Sequence, residues 1–175
     1  MADTTFNTDA GLTIARENMV AYLNTGTASS PVWSAIGKRV TDASRDYDWS
    51  EETDQDILGN THTTMKKPKL SETFNPVKFD SADSAYMKVW NLAVREQNAQ
   101  ALTSMDMLIV HKYAGSASTP WAERYPESAI KLSSIGGEGG GNIEGEFEVM
   151  YGGQRDVGTA TVDANGTVTF TSSAA

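Results

Sequence analysis

A mainly β fold, of the α+β kind, is predicted here: a sandwich- or barrel-like body with one flanking α-helix and a long extended arm. Three observations predict it. Short segments rich in Val, Ile, Phe, Tyr and Thr are separated by Gly, Pro, Asn and Ser breaks along most of the 175 residues. Only one stretch, around Tyr86, repeats its apolar residues at the helical spacings of three and four. Near the end, Asn165-Gly166 lies between Ala160, Val162, Val168 and Phe170, a short-range hairpin signal. The length suits a single domain over 1–175, large enough to bury roughly 70% of its unfolded surface.

Taken in order, Leu12 to Arg16 suits a short turn, and Met19, Val20, Ala21, Tyr22 and Leu23 read as a buried strand. A turn-rich break covers 25–31. From Val32 to Val40 the residues alternate, so one strand is expected to lead into the arm. Phe74, Val77 and Phe79 anchor the next strand, with Pro76 favouring an edge or a bulge. Ser81 is the expected helix N-cap and Asp83 a first-turn acid; Tyr86, Val89, Trp90 and Ala93 form the helix's core stripe, and the helix should end near 97–99. Met107 to Val110 is a buried strand reaching Tyr113, and Ala129 to Ser133 another. Gly136 to Asn142 reads as a flexible connector. After it, Ile143, Gly145, Phe147 and Val149 face one way and Glu144, Glu146 and Glu148 the other, because strand side chains alternate.

The arm, at about 44–72, holds the densest charge. Asp46, Asp48, Glu51, Glu52, Asp54 and Asp56 precede Lys66, Lys67 and Lys69, while Tyr47, Trp49, Ile57 and Leu58 are apolar groups needing cover. So polar a segment builds no core of its own, and a neighbouring subunit is the expected cover. The three lysines read either as a solvated edge that blocks strand addition or as partners for the acidic arm of an adjacent copy.

Composition excludes several functions. With 23 acidic and 14 basic residues the formal charge is −9, unsuited to gripping phosphate backbones. There is no cysteine, hence no thiolate chemistry or zinc–thiolate site. His62 and His111 lack ligand spacing for a metal, and no cofactor is expected. No Gly-x-Ser-x-Gly elbow occurs, the glycine run lacks a Gly-Lys-Ser/Thr ending, and the Asn165 acceptor pattern is turn chemistry, so no catalytic residue is assigned. With no basic start, no apolar leader and no spanning run, a soluble protein that is not exported by the Sec route and has no membrane contact is expected. Glu144, Glu146 and Glu148 need water or a wet channel.

Trp33-Ser34-Ala35-Ile36-Gly37-Lys38-Arg39, the acidic arm, Asp56-Ile57-Leu58-Gly59, Phe74-Asn75-Pro76 and the helix around Trp90 together resemble the major tail tube proteins of long, non-contractile-tailed bacteriophages. The likeness covers most of the chain and rests on element order rather than a stringent motif. It implies a structural virion protein, made in the host cytoplasm and assembled into the tail. Its rings would be hexameric and stacked, joined by the arm, with DNA passing through unbound. Tape measure, tail terminator and baseplate or initiator proteins are the implied partners beside the chain itself. Glu144, Glu146 and Glu148 are then candidates for the lumen. The arm contacts would be Asp46, Asp48, Trp49, Glu51, Glu52, Asp54, Asp56, Lys66, Lys67 and Lys69. An inner tube protein of a contractile tail or injection system shares this architecture. A carbohydrate-binding β-sandwich, with tryptophans as sugar platforms, is the main alternative of another class, and a small hydrolase built on the carboxylates ranks after it.

Overall fold

The structure, a computed structural model, describes residues 4–173. About half of the chain is strand and a tenth helix. Eleven strands form: β1 (Met19–Asn24), β2 (Trp33–Ile36), β3 (Val40–Asp48), β4 (Glu52–Gln55), β5 (Thr61–Thr64), β6 (Lys69–Lys78), β7 (Met105–Gly115), β8 (Pro120–Gly136), β9 (Glu144–Tyr151), β10 (Asp156–Val162) and β11 (Val168–Ser172). Helix α1 (Ser84–Trp90) runs on through a π turn, Asn91–Arg95, and a short α2 (Ala99–Leu102) follows.

The main sheet runs β2-β1-β7-β8-β9-β6-β3, with β10 and β11 branching from β8. The branch exists because β8 is long. Its first half pairs with β7 and β10, its second half with β9. Only the second half is foreseen from sequence; Glu123, Arg124 and Pro126 disguise the first.

A single strand over 32–40 is not what forms. Gly37 and Arg39 adopt positive φ values of 135° and 61°, which break the extended run and turn the chain. The break carries the chain from β2, at one end of the sheet order, to β3, at the other. Three intervening residues cannot span a flat seven-stranded sheet, whose strands lie about 4.8 Å apart, so the sheet is curled until its two rims approach at this corner, without pairing. The Tyr86 hydroxyl pins the crossing: it accepts from Gly37 N at 3.2 Å and donates to Lys38 O at 3.3 Å.

Inside the curl, α1 lays Ala85, Tyr86 and Val89 against Leu23, Phe74, Val77, Met107, Ile109, Phe147 and Val149. The cap is Asp83 rather than Ser81, its carboxylate accepting from the amides of Ala85 and Tyr86. Trp90 and Ala93 are half-buried, and Leu92 is the side chain that joins the core, because the π turn advances the buried stripe. A second cluster, Tyr22, Trp33, Leu108, Val110, Ala122, Ala160 and Val168, packs on the other face of β1 and β7. With both faces covered, residues 107–110 form an unbroken apolar run. The ladder of β6 on β9 skips between Phe74 and Val77, at Pro76. Val162 pairs with Val168, and a five-residue loop containing Gly166 at φ 83° joins β10 to β11.

Candidate functional site

The arm is a hairpin. Strands β3 and β6 pair up to Asp48 and Lys69, and residues 49–68 then leave the body. Beyond the root, β4 and β5 make their own two-stranded ladder, every residue of it exposed. Its turn is built by Asp56. One carboxylate oxygen accepts from Leu58 N at 2.9 Å and Asn60 N at 2.8 Å; the other meets Asn60 Nδ2 at 3.0 Å and His62 Nε2 at 3.3 Å. These bonds, those from Asn60 foremost, hold the Asp56 carboxyl down to about 2. Gly59, at φ 85°, completes the turn. The outcome is a preformed tip that presents Ile57 and Leu58 to solvent, 102% and 82% exposed.

The arm candidates separate. Glu51, Glu52, Asp54, Asp56, Lys66 and Lys67 lie on the projecting part, with Trp49 half-exposed at its root, whereas Asp46, Asp48 and Lys69 belong to the body sheet. Lys66 pairs at 2.8 Å with Glu52 of its own arm, an exposed bridge of little energetic weight.

Register brings two sets of candidates together. Across β8, β9, β6 and β3, Glu148 stands beside Lys131 and Thr73, Glu144 beside Lys78, and Asp42, Asp46 and Asp48 beside Asn75, Ser71 and Lys69. Side chains opposite one another in a ladder share a face. Asp42, Asp46, Asp48, Glu144, Glu146 and Glu148 therefore lie on one sheet face with Lys69, Lys78 and Lys131, six carboxylates to three ammonium groups. Each glutamate has a partner: Lys78 Nζ is 3.5 Å from Glu144, Lys131 Nζ is 3.4 Å from Glu148, and Asn75 Nδ2 donates to Glu146 at 2.6 Å. Phe147 and Val149, in between, face the core.

The inner side of the same strands carries a buried ionic cluster that was not legible in the sequence. Glu72, 1% exposed, accepts from Arg45, from the Tyr151 hydroxyl and, at 3.2 Å, from Arg16. Burial and the Glu72 charge push the Tyr151 hydroxyl well above its ordinary pKa. Glu123 meets His111 Nε2 at 2.9 Å, Arg155 Nε at 2.7 Å and the Tyr125 hydroxyl at 3.0 Å. Burial drives the Glu123 carboxyl up, but the His111 bond and the Arg155 charge outweigh it, leaving it below the ordinary 4.5. Beside this cluster, under the arm root, opens a groove of about 680 Å³ walled by Tyr47, Trp49, Tyr125, Tyr151, Lys67 and Arg155.

Among the described residues no serine or threonine hydroxyl bonds His111, whose two nitrogens face Glu123 and Tyr113. Among the described residues no group of three or more His, Asp or Glu could hold a metal, and no helix is long and apolar enough to cross a membrane. The tryptophans form no common platform: Trp33 is buried, Trp121 stacks on His111 under Arg155, Trp90 is half-buried beside the helix, and Trp49 opens into the groove.

In overall fold the chain is similar to solved components of phage-tail-like particles. The chain is similar to the sheath/tube terminator of an extracellular contractile injection system, PVC, in its extended state. The TM-score there is 0.52 at 11% identity, covering 85% of this chain and 99% of that one. It is also similar to the tube terminating cap of the anti-feeding prophage, at TM-score 0.50 and 13% identity, covering 88% and 96%. At such identity the likeness is one of fold. No family model and no curated protein matches the sequence. These two structures belong to contractile injection systems, whereas the sequence resemblance is to non-contractile tails.

Proposed function

We propose that this chain is a structural, non-enzymatic subunit of a phage-tail-like tube, whose copies form rings, hexameric by the sequence resemblance, that stack head to tail. The observation that carries the reading is the preformed hairpin with Ile57 and Leu58 bare at its tip. Two aliphatic side chains held rigidly in water gain their burial only against another molecule. Stacking through unlike surfaces gives an open filament, and lateral closure covers the unpaired rims of β2 and β3. The acidic face that includes Glu144, Glu146 and Glu148 would line the bore, repelling DNA phosphates over a range of about 8 Å at physiological salt. Tape measure, terminator and baseplate proteins would be its partners at the two ends.

Negative-stain microscopy of the concentrated protein tests this. Rings or hollow rods are expected, and deletion of residues 49–68 should leave a folded monomer that forms neither; normal rods from the deletion would overturn the role of the arm. Lysine in place of all three glutamates tests the bore: DNA delivery by particles of intact appearance should fall, and unchanged delivery would move the lumen elsewhere. The likeness to a terminator and a cap favours a second reading, a single ring that closes a tube of other subunits. Under it the protein gives closed rings that never lengthen, and binds one end of preformed tubes.

A further inference from the structure

We infer that the glycine-rich hairpin between β8 and β9 is a plug, and that the groove under the arm root is its seat on a second copy of this chain. The inference rests on the stacking reading above and names two surfaces that meet in it.

The hairpin, residues 137–143, is exposed throughout and flanked by two exposed aliphatics, Ile135 and Ile143. It is narrow. Gly137 lies so close to the Asn142 carbonyl oxygen that a Cβ there would be 2.2 Å from it, and Gly141 N closes a turn on Glu138 O at 2.9 Å. Glu138 is the single charge it carries. The loop is therefore a thin ribbon with one carboxylate at its turn and an aliphatic shoulder on each side.

The groove has the opposite character. Tyr47, Trp49, Tyr125 and Tyr151 give it aromatic walls, and Tyr47 and Trp49 are each 48% exposed inside it. Its charge is positive in a protein that is otherwise acidic. Lys67 stands at the groove with no ion pair among the described residues, and Arg155 stands beside it. Behind Tyr151, Arg45 lies over the ring at 5.3 Å and leaves its buried Nη1 without a hydrogen-bond partner. Of the side chains that line the groove, Lys67 and Arg155 are cationic and Glu123 is the one carboxylate, already held by Arg155 and His111.

Position decides which copy supplies the plug. Strand β9 begins at the hairpin, where Glu144 pairs with Gly136, and ends at the groove, where Tyr151 pairs with Leu70. Its eight residues separate the two by about 23 Å at the usual rise per residue. Plug and seat on one copy cannot meet; on two copies a plug in a seat joins unlike surfaces, the kind of contact that repeats along a filament when its rotation does not close. Glu138 then faces Lys67 and Arg155, and Ile135 and Ile143 cover the exposed faces of Tyr47 and Trp49.

The chain has no cysteine, so a full-length variant with Asn142→Cys and Gln154→Cys, both at exposed loop positions, reports this contact once each single-cysteine variant is seen to form no disulfide-linked dimer. Oxidation at concentrations that give particles should produce a ladder of disulfide-linked multimers that reduction collapses. A parallel variant, Asn142→Cys with Leu58→Cys, tests whether the hairpin meets the arm tip instead. Particles without a ladder, or a ladder from the second pair alone, would overturn the plug and leave stacking standing; absence of both particles and ladder would overturn both. As a second measurement, Glu138→Lys should raise the protein concentration needed for assembly at least tenfold and Lys67→Glu in the same chain should lower it again. No recovery in the double variant counts against the contact.

Discussion

Strands β3 and β6 carry charge through two regions that use it in opposite ways. At the body, Arg45 and Glu72 face each other sealed from water, with Tyr151 and Arg16 completing the set. Past Asp48 and Lys69 the same two chain segments hold Glu52, Asp54 and Lys66 exposed, and turn and ladder bonds with one exposed Glu52–Lys66 pair give them shape. The difference teaches that one ribbon is anchored by buried ion pairs at its root and left free to present its tip. Damage to the root should unfold the protein; damage to the tip should leave the fold and cancel what the tip does.

Four experiments break or sharpen that contrast. Glu72→Ala strands Arg45 in the interior and should cost about 3–5 kcal/mol in urea unfolding; a loss below about 1 kcal/mol would mean that the root is held by something else. Acid should act next. Because the folded Glu123 carboxyl titrates below its ordinary 4.5, its share of stability is complete above that value and is lost as pH falls through the lower folded value. The unfolding midpoint should drop over that window in the native protein, and drop less in a Glu123→Gln variant. Third, the arm turn should persist far into acid, since the Asp56 carboxyl sits at about 2: its order is full above the ordinary 3.8 and fades as pH falls through about 2. Amide exchange at Leu58 and Asn60 reads this, and Asp56→Ala should free both amides at neutral pH with global stability unmoved. Smallest on the fold is the pair Ile57→Asp and Leu58→Asp, expected within about 0.5 kcal/mol of the native protein because neither side chain is buried. The same pair should abolish particles under the microscope, and particles of normal length would break the contrast at its outer end.

What the sequence revealed follows from how local each signal is. The alternation of Glu144, Glu146 and Glu148 with Phe147 and Val149, the hairpin around Asn165-Gly166 and the helix at Tyr86 are each written within ten residues, and the mainly β class follows from them. Asp83 displaced Ser81 as cap because Ser81 lies in a turn closed by Asp83 N on Asp80 O at 3.0 Å, a choice between candidates two residues apart that spacing cannot rank. The buried cluster was illegible because its members come from β3, β6, β7, β8 and β9, and Glu123 or Arg45 read singly as ordinary surface charges. The acidic face was half legible: the glutamates declare themselves, but their union with Asp42, Asp46 and Asp48 depends on which strands become neighbours.

The three residues 37–39 that join the two rims of the curled sheet set a mechanical limit. Four backbone steps separate Ile36 from Val40, so the rims can part by no more than about 14 Å before the chain is taut. A sheet clasped in this manner can breathe without flattening, because the covalent chain sets an upper bound on how far it opens.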